Sequence, residues 1–137
     1  MVAELTFPVR YVETDAMGIV HHTNYVVWFE AGRVEAMRQA GLDYAAVERG
    51  GLFFAVAEVH VRYLSPARFG DRVTVRTGIT ELRSRAVRFD YVVVDAESGC
   101  VRVEGYTRHV PIDRAGRVTR IPRELLEALR PAVAAQN

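Results

Sequence analysis

Carboxylates, histidines and arginines are the side chains of this 137-residue chain with chemistry to offer, and their spacing limits what that chemistry is. Asp15 stands in a turn-rich stretch, Glu13-Thr14-Asp15-Ala16-Met17-Gly18, which runs through His21-His22-Thr23-Asn24 into a helical pattern. The first amides of a helix lack intrahelical acceptors and carry partial positive charge, so a carbonyl oxygen docked there is polarised next to Asp15. Amides preorganised at a developing oxyanion lower acyl-transfer barriers, each donor being worth about 2.7 to 4 kcal/mol. Asp15 would then attack the carbonyl or activate water. The plainer reading of an aspartate in such a loop is a turn or capping residue. His21, His22, His60 and His109 raise the question of a metal, but adjacent histidines point apart and no carboxylate or thiol stands at a ligand spacing, so no metal site is expected. A Gly-x-Ser-x-Gly elbow, a phosphate loop and a dinucleotide fingerprint are all missing, so carboxylate and backbone carry the chemistry without a cofactor.

These residues need elements to hold them. Leu5, Phe7, Val9 and Tyr11 alternate with Thr6, Pro8 and Arg10, which predicts a half-buried strand over roughly residues 4 to 13, with Pro8 marking an edge. Tyr25-Val26-Val27-Trp28-Phe29 is apolar on every side of a helix, which predicts burial all round, and Gly41 offers a stop. Trp28 and Phe29 read as core, while Glu30 and Arg33, three apart, read as an ion pair on that helix. Four strand-like segments follow, at roughly 52 to 64, 72 to 82, 86 to 95 and 100 to 110, separated by turn signals. In the first of them Glu58, His60 and Arg62 share one face, wet or facing a partner. Pro122 to Leu129 reads as a short closing helix. The sum is an α+β fold: an antiparallel five-stranded sheet wrapped around one long helix, with a short C-terminal helix, in a single domain over residues 1–137. Sheet edges left open by such a layout favour at least a dimer.

Composition closes off other classes. Half of the residues are hydrophobic and 26% are charged, which argues against disorder and disulfide-stapled miniproteins. The net charge is +1 and acids and arginines are interspersed, so nucleic acid is not an expected partner. Cys100 is the only cysteine, which excludes an internal disulfide and fits a reducing compartment. The N-terminus lacks a basic segment ahead of an apolar run, and no stretch approaches the roughly 18 apolar residues that span a bilayer. A cytoplasmic protein without membrane insertion is therefore expected.

Val9-Arg10-Tyr11-Val12-Glu13-Thr14-Asp15-Ala16-Met17-Gly18-Ile19-Val20-His21-His22-Thr23-Asn24-Tyr25, then Trp28-Phe29-Glu30 and Arg33, closely resemble the signature of the hotdog-fold 4-hydroxybenzoyl-CoA thioesterase family, in particular its YbgC-like acyl-CoA thioesterase branch. The resemblance continues through Tyr63-Leu64-Ser65-Pro66-Ala67-Arg68-Phe69-Gly70-Asp71 and Arg83-Ser84-Arg85. It implies a hotdog fold, pairing of protomers into dimers or tetramers, and active sites between protomers. By position, Asp15 matches the family's catalytic aspartate, and His22 the residue whose backbone amide polarises the thioester carbonyl. Tyr11 matches a tyrosine of the branch's active site, where it lines or orients the pocket. His21 departs from the tyrosine or tryptophan usual at its position. Arg83 and Arg85 align with a basic stretch that meets the nucleotide phosphates of coenzyme A, a task to which guanidinium forks are suited.

The expected function is hydrolysis of an acyl-CoA thioester to a free acid and coenzyme A. A thiolate leaves easily, so a carboxylate and a helix-end oxyanion site suffice. Two rivals remain. An acyl-thioester dehydratase of the same fold carries a histidine followed by a Phe-Pro-Gly loop, which this sequence lacks. A noncatalytic acyl-CoA or acyl-carrier-protein binding module would need the pocket but not Asp15.

Overall fold

The structure, a computed structural model, describes residues 2–133. Five strands and three helices follow one another as β1 (Val2–Pro8), α1 (His22–Gln39), α2 (Tyr44–Arg49), β2 (Phe53–Tyr63), β3 (Arg72–Arg83), β4 (Ala86–Asp95), β5 (Val101–Ile112) and α3 (Arg123–Leu129). The strands form one antiparallel sheet in the order β1-β3-β4-β5-β2, so β1 and β2 are its edges. The expected α+β layout of five strands around one long helix is the layout found.

Alternation along the strands sorts the sheet into two unlike faces. Val73, Val75, Thr77 and Ile79 of β3, Val87, Phe89, Tyr91 and Val93 of β4, and Val103, Thr107 and His109 of β5 point inward and are buried. Against them α1 lays Tyr25, Trp28, Phe29, Gly32, Ala36 and Met37, a stripe at helical spacing. Phe29 stacks on Tyr91 with ring centroids 4.2 Å apart. The opposite face is polar: Arg108 pairs with Glu58 and Glu81, Arg62 with Glu104, and the Arg88 guanidinium lies 3.9 Å from the centroid of the Tyr106 ring. Glu58, His60 and Arg62 do share that face, with His60 stacked on Tyr106.

Four details depart from the sequence reading. The first strand ends at Pro8, and Tyr11–Glu13 is a single 3-10 turn, because the Glu13 carboxylate folds back to accept from the Arg10 amide at 2.8 Å and breaks the alternation. The apolar run of α1 is buried on one side only: Val27 and Val34 are about half exposed, since one sheet covers one face of a helix. Glu30 and Arg33 form no ion pair; Arg33 donates instead to the Tyr91 hydroxyl at 3.2 Å. The six-residue α2 was not foreseen; it is capped by Asp43, whose side chain accepts from the Ala45 amide.

Gly32 sets how near α1 comes to the sheet, because a Cβ there would overlap the Thr77 hydroxyl and meet the Val75 side chain. Alanine is favoured over glycine in a helix by about 1 kcal/mol, whereas overpacking a filled core costs roughly 1 to 3 kcal/mol. Both obstructing side chains are β-branched and buried, so crowding wins. Gly32→Ala is expected to lower stability by about 1 kcal/mol, read in urea denaturation as a lower midpoint at unchanged slope; a midpoint at or above that of the parent would show that α1 has room to yield.

Candidate active site

The loop between β1 and α1 is built around Glu13. Its carboxylate, only 4% exposed, accepts from the Arg10 amide at 2.8 Å and the Trp28 indole N–H at 2.7 Å, with the Arg10 guanidinium 3.5 Å away. Its carbonyl accepts from the His21 amide at 2.9 Å and from the Asn24 side chain at 2.8 Å. One residue thus ties the loop to the first two turns of α1. Burial pushes the Glu13 carboxyl up, but the Arg10 amide, the indole and the Arg10 charge outweigh it and hold the group below its ordinary value.

Two residues on, Asp15 opens a tight turn. Its carbonyl accepts from Gly18, its amide donates to Ile19, and Gly18 takes the positive φ of +80° that such a turn demands. Oδ1 accepts from the Met17 amide at 2.8 Å, an Asx-turn contact. That is the plain structural role, and it occupies one oxygen: Oδ2 has no partner among the described residues. The half-buried carboxylate lines a cleft of about 320 Å³ with Met17, Val20, His22, Tyr25 and Tyr63.

The start of α1 forms another wall of this cleft. His21 is the N-cap, its Nδ1 accepting from the Thr23 amide at 3.3 Å, while the Asn24 amide reaches the His21 carbonyl. The His22 amide donates to no group among the described residues, as expected of the first helical position. Tyr63 crosses from the end of β2 to donate to the His22 carbonyl at 3.0 Å, and burial raises its hydroxyl pKa so that it stays a donor. Tyr25, also raised by burial, accepts from the Ala67 amide at 3.1 Å and anchors the Ser65 to Ala67 wall. Tyr63 and Glu13 had no functional part in the sequence reading; both follow the rule that a loop needs side-chain partners to hold a shape.

Asp15 and His22 are brought to one cleft. Tyr11 is not among its lining residues; it is 76% exposed and meets Phe69 edge to face at 5.6 Å. Arg83 and Arg85 stand at the β3–β4 turn, the far end of a 12-residue strand that begins beside the loop, roughly 36 Å away along the strand. Arg83 pairs with Glu81 at 3.0 Å, and Arg85 pairs with no carboxylate among the described residues. No three His, Cys, Asp or Glu side chains among the described residues gather at a metal-binding spacing.

Residues 9–129 match the Thioesterase-like superfamily. The chain belongs to it. The acyl-CoA thioester hydrolase YbgC of Escherichia coli O6:H1 is 35% identical over 94 residues, covering 67% of this chain and 70% of its own. Among solved structures, a hypothetical protein of Thermus thermophilus is 43% identical with a TM-score of 0.92, covering 98% of this chain and 100% of that one. The DHNA-CoA thioesterase of Staphylococcus aureus is 26% identical with a TM-score of 0.90, covering 95% and 89%. Relatives of this chain are thus named for thioester hydrolysis.

Glu13→Gln puts an amide N–H2 among donors and is expected to lower stability by about 2 kcal/mol at neutral pH, the scale of a broken charged hydrogen bond. Because the folded carboxyl titrates below its ordinary 4.5, its contribution is complete above that value and disappears as pH falls through the folded pKa. Denaturation curves of the two proteins should converge on acidification; a gap that holds constant down to pH 3 would assign the loss to shape alone.

Proposed function

We propose that this protein hydrolyses acyl-CoA thioesters to a free acid and coenzyme A, with Asp15 as nucleophile or general base and the His22 amide polarising the thioester carbonyl. The observation that carries the reading is one cleft lined both by Asp15, whose Oδ2 has no partner among the described residues, and by His22, the first residue of α1, whose amide has no acceptor among them. As the thioester carbonyl turns tetrahedral its oxygen gains charge, which the His22 N–H and the start of α1 stabilise. Attack by Asp15 gives a mixed anhydride and releases the thiolate, after which water cleaves the anhydride; as base, Asp15 takes the proton of the water that attacks directly. Either route ends with acid and thiol.

A second copy of the chain fits the same reading. Among the described residues β2 leaves its outer edge unpaired, with Val56, Val59 and Tyr63 about half exposed along it, and none of them covers the Val27 and Val34 stripe of α1. Two β2 edges paired about a two-fold axis would form a continuous sheet and a dimer, and a tetramer could follow from the remaining apolar faces. Arg83 and Arg85, remote from Asp15 within one chain, would then serve the nucleotide phosphates of coenzyme A from a neighbouring copy, while Tyr11 would orient substrate at the cleft's rim. A cytoplasmic setting accords with the substrate, and no helix among the described residues is long and apolar enough to cross a membrane.

Release of free thiol from a panel of acyl-CoA chain lengths, with a benzoyl-type member, tests the activity. Asp15→Asn is expected to stay folded and lose at least about a hundredfold in turnover; a folded variant with near-parental turnover leaves Asp15 a turn residue and overturns the mechanism. Tyr11→Phe should lose less. Replacing Arg83 and Arg85 together with alanine should raise KM more than it lowers kcat, since contacts to the distant phosphates act equally on ground and transition states. An active sample with a monomer's mass by light scattering would remove the shared-site argument.

A further inference from the structure

The amide that polarises the thioester carbonyl in the proposed reaction belongs to the peptide between His21 and His22, so its aim is set by residue 21 as much as by residue 22. His21 is held at φ −62° and ψ 137° by three bonds. Its amide donates to the Glu13 carbonyl at 2.9 Å, its carbonyl accepts from the Asn24 amide at 2.9 Å, and its ring Nδ1 accepts from the Thr23 amide at 3.3 Å. The first two are backbone bonds that other residues could make equally well. The third is the side chain's own, and it makes His21 the N-cap of α1. The Thr23 hydroxyl lies 2.7 Å from the same nitrogen.

A histidine cap differs from the favoured caps in one respect. Serine, threonine and asparagine keep an acceptor oxygen at every physiological pH, whereas a ring nitrogen accepts only while it carries no proton. Accepting at Nδ1 puts the one proton of the neutral ring on Nε2. A second proton, taken in the range of pH 5 to 8 where histidines change charge, goes to Nδ1 itself. The Thr23 hydroxyl can turn and accept from it, but the Thr23 amide is a donor only and loses its acceptor. The imidazolium also stands at the positive end of α1, where cations are unfavourable. Around the ring, the Glu13 carboxylate is turned to Arg10 and Trp28, and Asp15 engages the Met17 amide. Tyr63 meets His22 edge-on at 6.4 Å and donates to its carbonyl. His22 itself is stacked on His21 at 4.3 Å, so a charge on one ring opposes a charge on the other.

We propose that His21 is a proton-sensitive positioning residue of the Asp15 site. Its uncharged ring caps α1 and holds the His21–His22 peptide with the His22 N–H aimed into the cleft; its protonation loosens that first turn and slows the reaction. The tyrosine or tryptophan usual at this position in the resembled family takes up no proton in the same range, so the device belongs to this chain's own substitution. It rests on the thioesterase reading, and that reaction gives it a use. A thioester and water yield a carboxylate, a thiol and one proton, so the species that releases the cap is a product.

The test compares kcat between pH 8 and pH 5.5 in the parent, His21→Asn and His21→Ala, on whichever acyl-CoA the full chain turns over fastest. Asp15 and His22 are common to all three proteins, so their own titrations drop out of the ratios. Asparagine caps without titrating and alanine does not cap. The parent is expected to track His21→Asn at pH 8 and His21→Ala at pH 5.5, falling at least about fivefold relative to asparagine, the scale of one N-cap contact. KM should change less than kcat, because the oxyanion contact strengthens in the transition state. A second measurement needs no substrate: in NMR titrations the Thr23 amide should follow the same curve as the His21 ring, and that step should be missing in His21→Asn. A cation beside the oxyanion would act in the opposite sense, so a rate that rises when the parent alone is acidified overturns the proposal. So does a parent profile that matches His21→Asn throughout, or a Thr23 amide that ignores the His21 titration. A chain inactive on every thioester would sink the thioesterase reading, and the Thr23 amide would still decide whether His21 is a titrating cap.

Discussion

The candidate site depends on a buried carboxylate that does no chemistry. Glu13 is flanked by Tyr11 on one side and Asp15 on the other, and it joins the loop to α1 through the Trp28 indole, the Asn24 amide and the His21 N–H. A loop with no such anchor would sample many shapes, and fixing each backbone residue costs roughly 1 to 2 kcal/mol. Glu13 collects those constraints at one point, so the position of Asp15 relative to the start of α1 is set before any substrate arrives. The acid below it in the chain can then use one oxygen to hold its own turn and keep the other free.

The sheet serves the site by being different on its two faces. Its inner face carries α1 and accepts an approach close enough that Gly32 has no room for a side chain. On its outer face guanidinium groups alternate with carboxylates and lie over Tyr106, so the polar surface is neutralised strand by strand. Tyr63 stands where β2 ends, and its bond to the His22 carbonyl joins the open edge of the sheet to the first turn of α1. Edge and site are therefore mechanically one unit.

Much of this was legible in the chain. Alternation located β2 to β5 to within about two residues, because inward positions such as Val87, Phe89, Tyr91 and Val93 are unbroken by polar residues. Alternation misled at Tyr11, where the period of two persists in residue types after the backbone has left the sheet to satisfy Glu13. It also overstated burial at Val27 and Val34, since an apolar residue on a helix says nothing about whether one partner or two will cover it. The loop-to-helix pattern singled out Asp15 beside the first helical amides, the family resemblance added His22, and both line one cleft. Tyr63 was not, because a hydroxyl that crosses 41 residues to a backbone carbonyl leaves no local trace. Buried His109 had one readable sign: it shares the inward parity of Val103 and Thr107 on β5, where a histidine must be neutral or paired.

The outer face also bears on chemistry away from the cleft. Every one of the 18 basic residues in the sequence is arginine. Thioesters and mixed anhydrides are acylating agents, and their ordinary casualty on a protein surface is the ε-amine of lysine in its uncharged form. Guanidinium stays protonated throughout the physiological range and offers no free amine lone pair. Cations that brace the sheet through Glu58, Glu81 and Glu104 are thus of the one kind that an activated acyl group leaves unmodified, and a protein that handles such groups keeps its surface charge intact through repeated exposure to them.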